Sequence, residues 1–205
     1  LVCLSFSATA SELPPEFVKL KELAPDIIQN IKYFGPDNFT GKPVPGYSIG
    51  ECWLHKNAAM ALVNAQNEAK KSGLKLIVYD CYRPIRAVKS FVSWVHEDNI
   101  KTKNNYYPHE NKKNLIQNGY ISDHSMHSTG NAVDLAIVGL DFGTPFDYFD
   151  KKSWTENSAN YIVKQNRQLL KNIMEKNNFE NIPHEWWHYT YKVDNESQKY
   201  DYEIK

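Results

Sequence analysis

Two short segments of the chain carry histidine and carboxylate side chains in patterns that suit metal binding. In the first segment, residues 125–134, His127 lies in a glycine-bearing turn and Asp134 interrupts an otherwise aliphatic run. A carboxylate among aliphatic side chains is costly to bury without a partner, and a metal ion is one good partner. The alternative is that these polar side chains have only structural roles.

The second segment is the run Glu185-Trp-Trp-His188-Tyr, in which a glutamate and a histidine lie among aromatic residues. His127, Asp134 and His188 together would form a site of two imidazoles and one carboxylate. Zinc suits such ligands, and three protein ligands leave its fourth position open for water, as in catalytic sites. We therefore expect one zinc ion per chain. Glu185 is the candidate general base that takes a proton from the water.

The spacing of Glu185 and His188 sets a geometric requirement. In an ideal strand the two side chains would face opposite sides of the sheet, because their separation is odd. Glu185 must therefore lie at the entrance of the strand, after Pro183, or a bulge must turn it towards the metal.

Arg83 is a candidate for stabilising negative charge in the same site. It follows a run predicted to be a buried strand, and Pro84 after it suits the first position of a helix. Its guanidinium could face the negative charge that develops on a substrate oxygen. The alternative is a surface charge that precedes a helix.

The elements that must position these residues alternate between helices and strands. Apolar residues recur at helical spacing over 54–69, 88–95 and 162–174, and strands are predicted at 74–79, 133–137 and 186–191. In the third helix the residues predicted to face inward are Ile162, Val163, Leu169, Leu170, Ile173 and Met174. Residues 99–118 are polar and predict a long loop or short irregular elements. The irregular alternation predicts a single α+β domain with a mostly antiparallel sheet flanked by helices.

Composition excludes several classes of function. The 205 residues include 24 Lys and Arg and 24 Asp and Glu, so a net charge of zero gives no general attraction to nucleic acid. No apolar run approaches the roughly 18 residues of a membrane span. Hydrophobic residues make up 41% and aromatic residues 13%, which is typical of a globular domain and argues against disorder.

The first ten residues and the cysteines indicate export. An apolar stretch ends in the small-residue pattern Ala8-Thr-Ala10, which is typical of the end of a signal peptide, so residues 11–205 are the predicted mature domain. The alternative is a buried N-terminal strand. Cys52 and Cys81 would remain after cleavage and could form a disulfide in a periplasmic or secreted protein, or stay as free buried thiols.

Taken together, the motifs resemble those of a known family. The pattern Ser-x-His-x-x-Gly-x-Ala-x-Asp at 125–134, followed by Glu-Trp-Trp-His-Tyr at 185–189, is similar to the zinc D-alanyl-D-alanine dipeptidases. The similarity extends from about Tyr33 to the C-terminus. Further matches lie at residues 37–44, 80–84, 86–88, 106–108, 146–148 and 165–167.

The resemblance implies a role for each candidate residue and a small dipeptide as substrate. His127, Asp134 and His188 would bind zinc. Glu185 would act as general base and then as the acid that protonates the leaving amine, and Arg83 would stabilise the charged oxygen of the tetrahedral intermediate.

The resemblance also implies how the substrate is held and which fold holds it. Asp147 and Tyr33 would bind the free amino group, and Ser125 would line the pocket. The fold would be the small α+β domain shared with D,D-carboxypeptidases of the same clan and with the hedgehog signalling domain.

The chain departs from the vancomycin-resistance members of this family at two positions. Met126 stands in place of a second serine and Thr129 in place of an arginine, and the apparent signal indicates an exported member. Resistance is therefore not implied. Two alternatives stay open at this point: a peptidoglycan carboxypeptidase or endopeptidase with the same zinc site, and a non-catalytic, zinc-stabilised binding module. The oligomeric state is not predicted.

Overall fold

The computed structural model describes residues 14–193 and 197–205. The predicted signal remnant, residues 1–10, lies outside the described residues. The strands are β1 (Phe17–Lys19), β2 (Ile28–Gln29), β3 (Trp53–His55), β4 (Leu76–Asp80), β5 (Ala132–Ile137), β6 (Phe179–Asn181) and β7 (His188–Tyr191). The α-helices are α1 (Leu20–Leu23), α2 (Lys56–Lys70), α3 (Ile85–Val95), α4 (Lys103–Tyr106) and α5 (Tyr161–Lys176).

A five-stranded sheet in the order β2-β4-β5-β7-β6 forms the centre of the fold. The pair β2–β4 is parallel and the other three pairs are antiparallel. Strands β1 and β3 form a separate antiparallel pair. The predicted α+β fold with a mostly antiparallel sheet is therefore confirmed.

Strand β5 is the middle strand of this sheet, and all six of its residues are buried. Its sequence alternates between aliphatic residues and residues such as Asp134, a pattern that by itself is typical of a strand with one face in water. Because both faces of this middle strand are covered, Asp134 cannot reach bulk water and must find its partners within the protein.

Helix α5 extends over the predicted segment, but two of its inward-facing assignments were wrong. Ile162 is 59% exposed and Leu169 is 36% exposed. The residues that are buried along this helix are Val163, Arg167, Leu170, Ile173 and Met174. Ile162 and Leu169 each precede a buried position by one residue, which rotates them about 100° away from the buried face.

The strand predicted at 186–191 is shorter than expected. Strand β7 begins at His188, and Trp186 and Trp187 lie in the turn before it, each only 2% exposed. The ring of Trp186 stacks on Phe142 with centroids 4.3 Å apart, and the ring of Trp187 meets Phe146 edge-on. The rings of these aromatic residues are therefore buried by contacts with a distant loop, although the carbonyl of Trp187 still accepts a hydrogen bond from the N–H of Leu135 on β5.

Cys52 and Cys81 form a disulfide that joins the residue before β3 to the residue after β4. Both cysteines are buried, and their Cα atoms are 5.3 Å apart. Within residues 14–193 and 197–205, none of the helices combines the length and apolar character that crossing a membrane requires.

Candidate metal centre and active site

The register of the sheet brings two of the candidate ligands side by side. Asp134 on β5 pairs directly with His188 on β7, and on its other side it pairs with Asp80 on β4. Directly paired side chains on neighbouring strands lie about 4.5–5.5 Å apart at Cβ. The Nδ1 atom of His188 is 3.0 Å from Oδ1 of Asp134.

His127 reaches the same point from a short 3-10 helix, Met126–Thr129, that precedes β5. The side chain of Ser125 caps this helix by accepting a hydrogen bond from the His127 backbone N–H. Gly130 ends the helix with a φ of +75°, and a Cβ atom there would lie 2.6 Å from the ring of Phe17. A glycine is therefore required for the chain to turn into β5 at this point.

Together His127, Asp134 and His188 form a cluster whose ligand atoms all lie within 4.8 Å of one another. Nε2 of His127 is 3.0 Å from Nδ1 of His188 and 3.2 Å from Asp134 Oδ1. All three side chains are buried. The structure thus brings together the three residues that the sequence suggested as a metal site.

The outer nitrogens of the two histidines have hydrogen-bond partners that suit metal binding. Nδ1 of His127 is 2.6 Å from the carbonyl oxygen of Cys81, which can only accept, so Nδ1 donates this hydrogen bond and Nε2 is the nitrogen that faces the cluster. His188 turns Nδ1 towards the cluster, and its Nε2 lies 3.1 Å from the hydroxyl of Thr190. Such outer partners fix the orientation of ligating imidazoles.

The charges within the cluster favour an ionised Asp134. Burial acts to raise the pKa of Asp134, but His127 and His188 beside it outweigh burial and lower the pKa below its usual value. Burial acts to lower the pKa of His188, and the hydrogen bond to Asp134 outweighs it, so that this pKa is raised. Two nitrogen atoms and a carboxylate oxygen that converge in a buried site are a donor set that fits zinc.

Arg83 lies beside this cluster and is held by a buried carboxylate that the sequence interpretation missed. Its Nε atom donates to Oδ2 of Asp80 at 2.9 Å, and its Nη2 atom is 3.4 Å from Oδ2 of Asp134. Asp80 is fully buried and also accepts a hydrogen bond of 2.7 Å from the hydroxyl of Tyr47. Arg83 is thus anchored in the site and is not a surface charge.

Glu185 lies at the entrance of β7, which was one of the two positions that its spacing from His188 allowed. Its backbone N–H donates to the carbonyl of Ile182, and its carbonyl accepts from the N–H of His188, so the chain turns there before the strand begins. One carboxylate oxygen of Glu185 is 3.8 Å from Nδ1 of His188. Burial raises the pKa of Glu185.

Tyr33 and Asp147 meet within the same site, where the Arg83 guanidinium lies 5.0 Å from the centre of the Tyr33 ring. The hydroxyl of Tyr33 donates to Oδ2 of Asp147 at 2.8 Å, and both side chains are buried. Burial, followed by repulsion from Asp134, raises the pKa of Asp147 well above its usual value. Asp147 also has a φ of +60°, a backbone conformation that non-glycine residues adopt only at a cost.

One cavity of about 210 Å³ connects these groups. It is smaller than the roughly 300–1,000 Å³ of pockets for drug-sized ligands, which favours a small ligand. The candidate residues that line it are Tyr33, Arg83, Ser125, His127, Asp134, Asp147, Glu185 and His188. Cys52 and Cys81 are not among them.

Comparisons with known proteins show the family of this chain. The sequence model of the Peptidase M15 family, described as D-ala-D-ala dipeptidase, matches residues 14–204. A D-alanyl-D-alanine dipeptidase of Enterococcus faecium is 36% identical over 200 residues, which cover 92% of this chain and 98% of that protein. The chain belongs to this dipeptidase family. The resemblance inferred from the two motifs is thereby confirmed.

A second relative and one solved structure complete the comparison. A D-alanyl-D-alanine dipeptidase of Enterococcus faecalis is 39% identical over 182 residues, which cover 84% of this chain and 90% of that protein. The LdcB LD-carboxypeptidase is 18% identical with a TM-score of 0.49, and the match covers 89% of this chain and 70% of that chain.

Proposed function

We propose that the chain is a zinc dipeptidase that hydrolyses D-alanyl-D-alanine to two molecules of D-alanine. The observation that carries this proposal is the arrangement of charges in one small cavity. The cluster of His127, Asp134 and His188 lines this cavity together with the guanidinium of Arg83 and the buried carboxylate of Asp147. The family to which the chain belongs supports the same activity.

The three clustered residues would hold the zinc ion, with Nε2 of His127, Nδ1 of His188 and an oxygen of Asp134 as ligands. When bound, zinc polarises the scissile carbonyl group and lowers the pKa of a water molecule towards about 7. The carbonyl of Cys81 and the hydroxyl of Thr190 hold the two imidazoles in the orientation that this requires.

Glu185 moves the proton in this reaction. Its carboxylate takes a proton from the attacking water as the new C–O bond forms, and gives it to the amide nitrogen as the C–N bond breaks. A raised pKa suits a group that must both accept and donate a proton near neutral pH.

Arg83 stabilises the negative charge that develops on the carbonyl oxygen. Its guanidinium is already fixed by Asp80 and lies 5.0 Å from the centre of the Tyr33 ring. Because the donor is held in place before the substrate binds, little reorganisation is needed when the charge appears.

Asp147 and Tyr33 select for a substrate with a free amino group. Burial and the charge of Asp134 raise the pKa of Asp147. The ionised form of this acid is therefore not fully stabilised by the positive charges near it. The ammonium group of a dipeptide would supply that charge. An acylated amino group carries no positive charge and adds bulk, and it would leave Asp147 unpaired.

Hydrolysis of free D-Ala-D-Ala and of N-acetyl-D-Ala-D-Ala tests this proposal. We expect the free dipeptide to be cleaved with a kcat/KM at least about 10-fold higher, because a hydrogen bond to a charged group contributes roughly 1.5–3 kcal/mol. The measurement is D-alanine release by the zinc-loaded enzyme. Equal or faster cleavage of the acetylated substrate would instead favour a carboxypeptidase that acts on peptidoglycan.

We also propose that the mature domain is exported to the periplasm or secreted, where it would act on free dipeptides of the cell wall. The disulfide between Cys52 and Cys81 supports this location, because disulfides persist in oxidising compartments and are rare in the cytosol.

A further inference from the structure

Asp147 lies on a loop, residues 142–154, whose two ends are joined by one buried side chain. We name this segment the acid loop. Arg167 on α5 is 1% exposed, and its guanidinium donates four hydrogen bonds to main-chain carbonyls of the acid loop. Its Nε and Nη2 atoms donate to the carbonyl of Phe142, Nη2 also donates to that of Lys152, and Nη1 donates to that of Trp154.

The contacts of Arg167 are unusual for a buried charge. Burial lowers the pKa of Arg167 to about 10, and the partners of its guanidinium are carbonyl dipoles of the acid loop. Burying a guanidinium costs free energy because it loses its hydration, unless a fixed set of hydrogen-bond acceptors replaces the water. Arg167 therefore fixes the loop ends to each other and to α5.

The entry of the acid loop is shaped to approach this guanidinium. Gly143 has a φ of +81°, and a Cβ atom there would lie 2.9 Å from Val163 Cγ1 and 3.4 Å from Arg167 Nη2. Only glycine lets the backbone pass so closely in this conformation. The loop is thus packed directly onto the buried face of α5.

Asp147 needs such support because its own backbone is strained. A φ of +60° is disfavoured for a residue other than glycine, so contacts with the surrounding residues must hold Asp147 in this conformation. Within the loop, the hydroxyl of Ser153 donates to the carbonyl of Tyr148 and lies 2.9 Å from the hydroxyl of Thr144. A loop whose ends were released could relax Asp147 away from Tyr33.

The same loop also contacts the segment that carries Glu185. The backbone N–H of Trp186 donates to the carbonyl of Ser153 at 3.0 Å, and its indole N–H donates to the hydroxyl of Thr144 at 2.9 Å. The acid loop thus carries the residue that would bind the substrate amine and also contacts the neighbour of the residue that would move the proton.

We propose that Arg167 is a positioning residue for substrate selection: by joining the ends of the acid loop, it holds Asp147 where it binds the free amino group of the dipeptide. The inference rests on the proposed function. Arg167 does not line the cavity, so it acts through the loop and not on the substrate.

The variant Arg167→Lys tests this role, because lysine keeps the charge but cannot span three carbonyls. We expect the ratio of kcat/KM for D-Ala-D-Ala to that for N-acetyl-D-Ala-D-Ala to fall about 10-fold or more, mainly through a higher KM for the free dipeptide. Zinc content should stay at the wild-type level. Ser153→Ala, a milder change in the loop, should shift the ratio in the same direction by less.

Leu170→Ala is the matched control on the same helix. Leu170 is fully buried one turn from Arg167 and faces the core. This variant should lower Tm but keep the wild-type substrate ratio. In an Asp147→Asn background, Arg167→Lys should change the ratio by less than about twofold, because residues that act through one group are not additive.

An unchanged ratio in Arg167→Lys, or an equal fall in Leu170→Ala, would overturn the inference. Should Arg167→Lys fail to fold, an unchanged ratio in Ser153→Ala would overturn it. A wild-type enzyme that does not cleave D-Ala-D-Ala would instead overturn the proposed function, and the two failures are therefore distinguishable.

Discussion

At the scale of single residues, the metal cluster depends on side chains that do not touch the ion. Thr190 is the clearest case, because its hydroxyl accepts from the nitrogen of His188 that faces away from the cluster. Loss of this partner would leave the imidazole free to rotate or to adopt the wrong tautomer.

We expect Thr190→Val to weaken zinc binding about 10-fold or more, because partners of this kind typically contribute 10–100-fold to metal affinity. Competition with a zinc chelator measures the change. His188→Ala should lose zinc binding altogether, while Thr190→Ser, which keeps the hydroxyl, should bind zinc like the wild type. Thr190→Val with unchanged affinity would contradict this role.

The sequence pattern that identified Asp134 was also present at Asp80. Both are carboxylates on strands that are otherwise apolar, and both are buried in the structure. The sequence interpretation assigned a function only to Asp134, because Asp134 ends the motif that also contains His127. The sequence does not reveal the strand register. This register pairs Asp80 with Asp134 and turns the Asp80 carboxylate towards Arg83.

At the scale of elements, the disulfide joins the start of β3 to the end of β4, next to the metal cluster. Cys81 is also the residue whose carbonyl accepts from His127. The bridge closes a loop with a sequence separation of 29 residues. It therefore both restricts the unfolded chain and fixes the partner of one metal ligand.

The double variant Cys52→Ala and Cys81→Ala should lower the free energy of unfolding by about 3–4 kcal/mol, the chain-entropy cost for a loop of this length. Denaturant unfolding measures it, with the wild type in reductant as the control. The protein isolated from its native source should also show no reactive thiols at these positions. Free thiols there would contradict both the bridge and the proposed export.

Helix α5 shows that hydrophobic periodicity predicts where a helix lies better than it predicts which residues the helix buries. The apolar spacing located the helix correctly, but it assigned Ile162 and Leu169 to the core because both are apolar. The buried face instead includes Arg167, a charged residue that no hydrophobic pattern selects. Its burial depends on carbonyls of a loop that precedes the helix, which only the folded chain brings near.

At the scale of the whole molecule, the fold class and the grouping of the metal ligands could be predicted, whereas the orientation of Glu185 could not. Its position depends on a local hydrogen bond from the Asn181 side chain to the Glu185 carbonyl, and on a second one from the Trp186 N–H to the Ser153 carbonyl. The second contact joins distant parts of the chain. Local spacing therefore left two possible geometries open, and the structure has the strand-entrance geometry.

The local charges that line the cavity match the charges of a small zwitterion. The metal cluster, Arg83 and the acidic Asp147 all line one cavity of about 210 Å³. The ammonium and carboxylate groups of one dipeptide would meet complementary local charges, although the chain as a whole has no net charge.

The most direct test is D-alanine release from D-Ala-D-Ala by four preparations: metal-free enzyme, zinc-restored enzyme, and Glu185→Ala in both states. We expect activity only in the zinc-restored wild type. Zinc-loaded Glu185→Ala should keep its metal and lose turnover by several orders of magnitude, since the proton-moving group is gone. Turnover by the metal-free enzyme, or by zinc-loaded Glu185→Ala, would contradict the account.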